Sequence, residues 1–412
     1  MAVPILNAVI NFSTGPSFTQ TMVLGTGILG TNLLGDSASV IVDVSDQVDQ
    51  LRTQRGRDVQ SDQFQTGTMA MRLIDQNGDF NPQNVNSPYY GLLTPMKKVQ
   101  ISATYGPTTY LIFSGFITSY STVTPKNVGE LQYTTITCVD AFRLAQNAQI
   151  STVAAAPAGQ LSGARINAIL DQINWPAGMR DVDAGLTTMQ ADPGTARTAL
   201  AAMQTVETSE YGALYVDTAG FFTFQDRSVT AGGSGAAAVV FNNTGTGIRY
   251  FNAVWLLNDA QVYNSAQITR TGGTTQSASN AASIDKYFLH SYNQQNLLME
   301  TDAVALQYAQ SYVASRAETT VRCDAITLDL YTADYDAGII AALDLDFFDP
   351  VTITTTQSGN STLSKTLQVF GVAMDISPNR WQVTFTTLEP VIDGFVLDSS
   401  IYGLLDTGVL TY

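Results

Sequence analysis

The sequence predicts a mainly β protein: two related antiparallel β-barrel domains separated by a small α+β module. Three observations carry that expectation. Only 13% of the 412 residues are charged while 45% are apolar, so a core can be buried under a surface of uncharged polar side chains. Apolar and Thr-rich positions alternate with period two through most of the chain, the pattern of half-buried antiparallel strands. Helical periodicity appears only in the middle and once more near residue 305. At roughly 150 residues per domain the length suggests two or three domains. The expected divisions are an N-terminal extended arm at 1–37, a first β-barrel at 38–150, the α+β module at 151–228, a second β-barrel at 229–390 and a C-terminal arm at 391–412.

The first arm opens with a strand-like stretch and continues as MVLGTGILGTNLLGD. Gly25, Gly27 and Gly30 have the spacing of a dinucleotide fingerprint, with Asp43 where a ribose-binding acid would fall. That motif needs a helix starting at the glycines to offer its amides to pyrophosphate, and Asn32, Gly35, Asp36 and Ser37 leave no helical face. No cofactor is therefore expected. Gly27–Leu34 aligns without gaps on Gly403–Leu410, which suggests that both arms dock into equivalent grooves on neighbouring subunits.

Within 38–150 the stretch Leu51–Ile101 organises the rest. Phe64, Met69, Met71 and Leu73 alternate with polar positions. Then Asp75, Asn77-Gly78-Asp79, Asn81-Pro82, Asn84, Asn86 and Ser87-Pro88 form a density of turn formers that only a shaped surface loop can hold. Strands follow at Lys98–Ala103, Ile112–Ser119 and Tyr133–Cys138. In 151–228, Ile166, Ile169, Leu170 and Ile173 predict a helix stopping at Trp175-Pro176. Ala196, Ala199, Leu200, Met203 and Val206 predict a second, and ALYVDTAGFFTFQDR a strand pair turning at Asp217–Gly220.

After a Gly-rich link at Ala231–Ala238, strands are expected at VVFNNTG, AVWLLND and AQITRTG, and a surface loop over Ser277–Tyr287. A helix capped by Thr301 or Asp302 should run to about Ser315, burying Ala305, Tyr308, Ala309, Tyr312 and Val313. Four strands complete the chain. Val99–Thr104, Phe113–Ile117 and Tyr133–Thr137 are echoed by Val351–Thr356, Val369–Ala373 and Trp381–Thr387, with Gly115 set against Gly371; an internal duplication would explain the echo.

Residues Arg55, Gly56, Arg57, Gln65, Gly67, Leu73, Asp75, Gly78, Phe80, Pro82, Asn84, Ser87, Pro88, Tyr89, Tyr90, Gly91 and Pro95 together resemble the signature segment of minor tail proteins of long-tailed, siphovirus-type bacteriophages, the group that forms the tail hub or baseplate hub. The resemblance continues more loosely to the C-terminus and includes the small module between two tube-like barrels. It implies a structural virion protein at the distal end of the tail, made in the host cytoplasm and assembled as a homotrimer enclosing the DNA channel. Implied partners are the distal tail ring, tail tube, tape measure and tail tip or fibre proteins. The family pattern supplies no catalytic, cofactor or metal residue. The alternatives are a distal tail ring protein, a tail-associated glycan hydrolase and a carbohydrate-binding tail tip protein.

The chemistry is otherwise sparse. The net charge of −16 opposes binding to phosphate backbones, and the longest apolar run is far short of the roughly 20 residues a membrane span needs. Cys138 and Cys323 lie in strand contexts and are expected as buried free thiols. His290 is the only histidine, which rules out two-histidine zinc sites, and no serine sits in a nucleophile elbow. Asp344, Asp346 and Asp349 have oxygen ligands for Ca²⁺ but lack the glycine and terminal glutamate of a calcium loop, so a turn is expected. Asp75, Asn77 and Asp79 read better as Asx turns than as cation ligands. Tyr89, Tyr90 and the Tyr331–Tyr335 loop are the candidate sugar-stacking platforms.

Overall fold

The computed structural model describes residues 3–13, 15–16, 18, 40–57, 62–125, 127, 130–232, 237–245, 247–331, 336–359 and 361–389. The Gly25–Gly30 motif, the two matched arm segments and part of the Ala231–Ala238 link lie outside the described residues.

The first unit contributes β1 (Ile5–Asn11), β2 (Ile41–Asp43), β3 (Val48–Gly56), β4 (Gln65–Ile74), β5 (Lys98–Tyr105), β6 (Thr108–Val123), β7 (Tyr133–Val139) and α1 (Phe142–Asn147). Its strands are antiparallel and lie in the order β2-β1-β5-β6-β7-β4-β3. The predicted alternation is realised on β4, where Met69, Met71 and Leu73 are buried and Thr68 and Arg72 face out. The opening strand belongs to the sheet: β1 pairs along its whole length with β5 and buries Ala8 and Ile10.

The module holds β8 (Gln149–Ile150), β9 (Gln160–Leu161), α2 (Ser162–Gln172), β10 (Arg180–Val182), β11 (Thr188–Met189), β12 (Arg197–Thr198), α3 (Ala199–Glu210), β13 (Ala213–Val216), β14 (Phe222–Gln225) and α4 (Arg227–Gly232). Both predicted helices are present. Helix α2 buries Ile166, Ile169 and Leu170 and stops ahead of Trp175, whose indole N–H donates to the Met179 carbonyl at 3.0 Å. Helix α3 starts at Thr198, whose hydroxyl accepts from Ala201 N–H at 3.1 Å, and ends at left-handed Tyr211 just before Gly212.

The second unit contains β15 (Val239–Asn242), β16 (Asn252–Leu256), β17 (Ser265–Arg270), β18 (Gln276–Ser279), α5 (Ala281–Tyr287), β19 (Ser291–Leu297), α6 (Asp302–Arg316), β20 (Arg322–Asp329), α7 (Asp336–Asp344), β21 (Pro350–Thr356), β22 (Thr362–Ser377) and β23 (Arg380–Leu388). Thr301 caps α6, which buries Ala305, Tyr308, Ala309, Tyr312 and Val313 against a separate β18-β17-β19 sheet. The stretch Ser277–Tyr287, expected as a loop, instead forms most of β18 and all of α5. Asn280 caps α5 by accepting from Ser283 N–H at 3.1 Å, and the buried Ser283 hydroxyl donates to the Ala317 carbonyl at 2.5 Å. Hydrogen-bonded ends, rather than an apolar face, hold that polar segment in place.

The echo in the sequence is matched by a repeat in the strand order. The path β16-β20-β23-β22-β21-β15 repeats β3-β4-β7-β6-β5-β1 strand for strand. Both β6 and β22 are 16 residues long, and both break register at the same point. Phe116 and Ile117 face Val139 and Cys138 before the pairing jumps to Ser119–Thr137. Gln368 and Val369 face Leu388 and Thr387 before it jumps to Gly371–Thr386. Ser119, not Gly115, therefore occupies the place of Gly371: a glycine match in sequence does not fix register, whereas a bulge does. The repeats are not identical, since β1 runs antiparallel to β5 and β15 parallel to β21, and β5–β6 shifts register after Ile101 where β21–β22 does not. The two units join edge to edge through β22 and β3 into one large open sheet, and no barrel closes among the described residues.

Candidate assembly surface

The seam between the units is made by the Arg55-Gly56-Arg57 part of the signature. Strand β3 pairs with β22 from Gly56–Gly371 to Leu51–Ile376, and Arg57 N–H donates to the Phe370 carbonyl at 2.9 Å. Gly56 sits at φ +110°, and a Cβ there would lie 2.3 Å from the Phe370 carbonyl oxygen, so only glycine lets the strands meet. Buried Arg57 lies 4.2 Å over the Phe370 ring and donates to the Asp62 carbonyl at 3.0 Å. Burial holds its guanidinium below the ordinary arginine range, with Asp62 opposing. Arg55 reaches both carboxylate oxygens of Asp346 at 3.2 Å and lies 4.8 Å over Phe347. Behind the seam Phe64, Tyr215, Phe347, Phe348 and Phe370 form one aromatic cluster with the module.

The rest of the signature builds the loop after β4. Backbone turns repeat every third residue: Gly78 N–H donates to Asp75, Asn81 to Gly78, Asn84 to Asn81, Ser87 to Asn84 and Tyr90 to Ser87. Buried Asp75 anchors the stack, accepting from Asp79 N–H at 2.6 Å, Phe80 N–H at 3.1 Å and the Thr134 hydroxyl at 2.7 Å. Its carboxylate is thus occupied by protein donors, the N–H groups lying four and five residues on, while the two-residue Asx turns of the loop are made by Asn81 and Asn84, which accept from Gln83 N–H at 3.1 Å and Asn86 N–H at 3.0 Å. Tyr89 packs inward between Phe12 and Phe80, at 5.6 and 5.3 Å, while Tyr90 is exposed. Tyr331 is also exposed, its hydroxyl donating to Pro378 O; residues 332–335 of that loop lie outside the described residues.

The open sheet presents one solvent-facing side across both units. Gln54, Thr68, Thr137 and Thr384 line its shallow central hollow. Hydroxyl pairs Thr118–Thr137 and Thr327–Thr384 bridge neighbouring strands at 3.0 Å. Arginines on this side meet acids: Arg52 with Asp375 at 3.4 Å, Arg380 with Asp375 at 3.5 Å and Arg72 with Asp49 at 2.6 Å. Arg52 and Arg380 share the single carboxylate of Asp375.

Two stretches at the limits of this surface stay unpaired among the described residues. One is β6 from Thr118 to Val123, on the side away from β7; the other is β16, on the side away from β20. Neither carries a charged residue or proline, the usual guards of an open edge. Val123, Val254 and Leu256 expose 64%, 43% and 37% of their surface.

The other sequence candidates do not converge. Asp346 N–H donates to Asp349 at 2.9 Å, closing the expected turn, while the Asp346 carboxylate faces Arg55; among the described residues no group of three or more His, Cys, Asp or Glu side chains could hold a metal. His290 Nε2 lies 3.0 Å from the Tyr287 carbonyl. Asp43 accepts from Ser45 N–H and hydroxyl, and those bonds hold its carboxyl below the usual range. Cys138 and Cys323 are buried free thiols. Sequence reading missed a cavity of about 370 Å³ beside the seam, lined by Arg57, Glu207, Tyr211, Tyr292 and Tyr308. Burial pushes the Glu207 carboxyl up to about 8, while its Oε1 accepts from Leu214 N–H at 2.8 Å. No sequence signal marks that cavity, because its walls come from widely separated segments.

No family model matches the chain, and no curated protein matches it in sequence. Solved structures do match. The crystal structure of the tail protein from Neisseria meningitidis MC58 superposes with a TM-score of 0.56 at 8% identity, covering 95% of this chain and 98% of that one. The 43 kDa tail protein of prophage MuSo2 from Shewanella oneidensis gives 0.53 at 10% identity, over 86% and 97%. At such identities the likeness is one of fold: the chain has the fold of phage tail proteins.

Proposed function

We propose that this chain is a structural protein of a bacteriophage virion, the hub at the distal end of a long tail, present as a homotrimer. The observation that carries the reading is the duplicated β-unit. A ring built on sixfold symmetry needs six copies of a one-unit protein, whereas a chain holding two equivalent units closes the same ring with three. Residues 38–150 and 229–390 are then the two tube-like barrel domains, each completing its wall in the assembly, with the module 151–228 outside and the matched segments Gly27–Leu34 and Gly403–Leu410 reaching neighbouring tail proteins. The Thr- and Gln-rich side, whose arginines meet acids, faces the channel, where unpaired arginines would hold DNA back. The role is one of adapting the tail tube to the tail tip, without catalysis.

Subunit counting tests the proposal. Purified tails should contain three copies per tail, labelled by antibody at the distal end. Six copies would favour a distal tail ring protein. Clearing of host cell wall by the purified chain would favour a glycan hydrolase, and binding on a glycan array a carbohydrate-binding role.

A further inference from the structure

The intrachain seam has a counterpart that the described residues leave open. Strand β22 pairs with β21 through its first half and β23 through its second, and the seam to β3 forms on the side that β21 vacates. Strand β6 does the same with β5 and β7, but nothing described occupies the side that β5 vacates. The counterpart of β3 is β16: β3 lies beside β4 as β16 lies beside β20. Among the described residues its outer side is open too.

We propose, resting on the ring reading above, that Thr118–Val123 of β6 pairs antiparallel with β16 of a second copy of this chain, repeating the β22–β3 seam between subunits. The register follows from the duplication. Ser119 stands where Gly371 stands, since they face the equivalent Thr137 and Thr386 across the same bulge, so Val123 stands in the place of Asp375. Val254 faces Ala325 as Arg52 faces Ala70, and those alanines face Thr386 and Thr137 in turn. Val254 therefore stands in the place of Arg52. Within the chain, Asp375 and Arg52 are direct partners and form an ion pair. Between chains, the same positions hold Val123 and Val254.

The substitution suits each location. The intrachain pair lies on the solvent-facing side of a completed sheet, where charges stay hydrated. The two valines are exposed in the isolated chain, and facing each other they cover apolar surface that each edge otherwise presents to water. Both edges lack the lysines and prolines that keep free strands apart, which fits strands meant to meet. Leu256, with Phe251 and Leu257 beside β16, extends the apolar margin.

The test uses the full chain and the cross-link between Val123→Cys and Val254→Cys. A short bis-maleimide should convert the double variant into covalent multimers, including the three-chain species. Each single variant should give none, and neither should Val85→Cys with Val254→Cys, which places a thiol on the exposed loop. Register is tested by rewriting the pair. Val123→Asp with Val254→Arg recreates the Asp375–Arg52 pair and should assemble, whereas Val123→Asp with Val254→Asp should lose the oligomer while keeping the wild-type circular dichroism spectrum.

Three-subunit particles without the cross-link, or equal assembly of the Asp/Arg and Asp/Asp variants, would overturn the seam and leave the hub reading standing. A chain that stays monomeric at every concentration and in tails also overturns it. Cross-linked multimers from a chain absent from purified tails would keep the seam and overturn the hub reading.

Discussion

Gly56→Ala is the most direct probe of how the two units are held together. At φ +110° an alanine is strained by about 1–3 kcal/mol, and its Cβ would sit 2.3 Å from the Phe370 oxygen and 2.4 Å from Gly371 Cα. Both obstacles are backbone atoms in a paired strand, so the seam must part. Overpacking of this kind adds about 1–3 kcal/mol, and a loosened Arg57–Phe370 hydrogen bond about 1 more. The expected total is about 3–7 kcal/mol, a large share of a stability that for typical domains is about 5–15 kcal/mol. Urea titration followed by far-ultraviolet circular dichroism would measure it. Gly91→Ala is the control, because Gly91 sits at φ +81° with nothing within 4 Å of an added Cβ. It should cost about 1 kcal/mol from backbone conformation alone. If Gly56→Ala costs no more than Gly91→Ala, the close approach of β3 and β22 does not constrain the chain and the seam argument fails.

Asp75→Ala removes the acceptor of two loop N–H groups and the Thr134 hydroxyl, so a loss of about 2–4 kcal/mol is expected in the same titration, with early proteolysis between residues 76 and 92; an unchanged midpoint would show that the turn stack stands without its anchor. Glu207 supplies a pH dependence. Its folded carboxyl titrates near 8 against an ordinary value of 4.5, so the folded state binds the extra proton and stability should fall as pH rises between those values, by up to about 1.4 kcal/mol per pH unit from this group. Glu207→Gln should flatten that slope when denaturation midpoints are compared between pH 5 and 8, and an equally steep slope in the variant would refute the assignment. His290→Ala should leave assembly and infectivity intact in a complementation assay, since its ring donates from Nε2 to the Tyr287 carbonyl at 3.0 Å and otherwise lies 4.0 Å from Asp259 Oδ2.

The sequence by itself determined the local structure wherever a period or a cap was written into adjacent residues. The alternation of Met69, Met71 and Leu73, the helical spacing of Ile166, Ile169 and Leu170, the Thr301 cap and the Asp75–Ser87 run of turn formers all specify conformation through neighbours a few residues apart. Polar Ser277–Tyr287 escaped because its strand and helix are fixed by contacts to Asn264 and Ala317 rather than by an apolar face. The tertiary structure alone decided what Arg55-Gly56-Arg57 is for, because Phe370, Asp346 and Phe347 lie some 290 to 315 residues away along the chain. It also decided the frame of the duplication. Glycines matched by eye put Gly115 against Gly371, whereas the bulges put Ser119 there, and a strand's partner across a sheet depends on register that pattern of period two leaves free. The edges of β6 and β16 left open among the described residues follow from the same cause: whether a strand is central or at an edge is a property of the sheet, not of the strand.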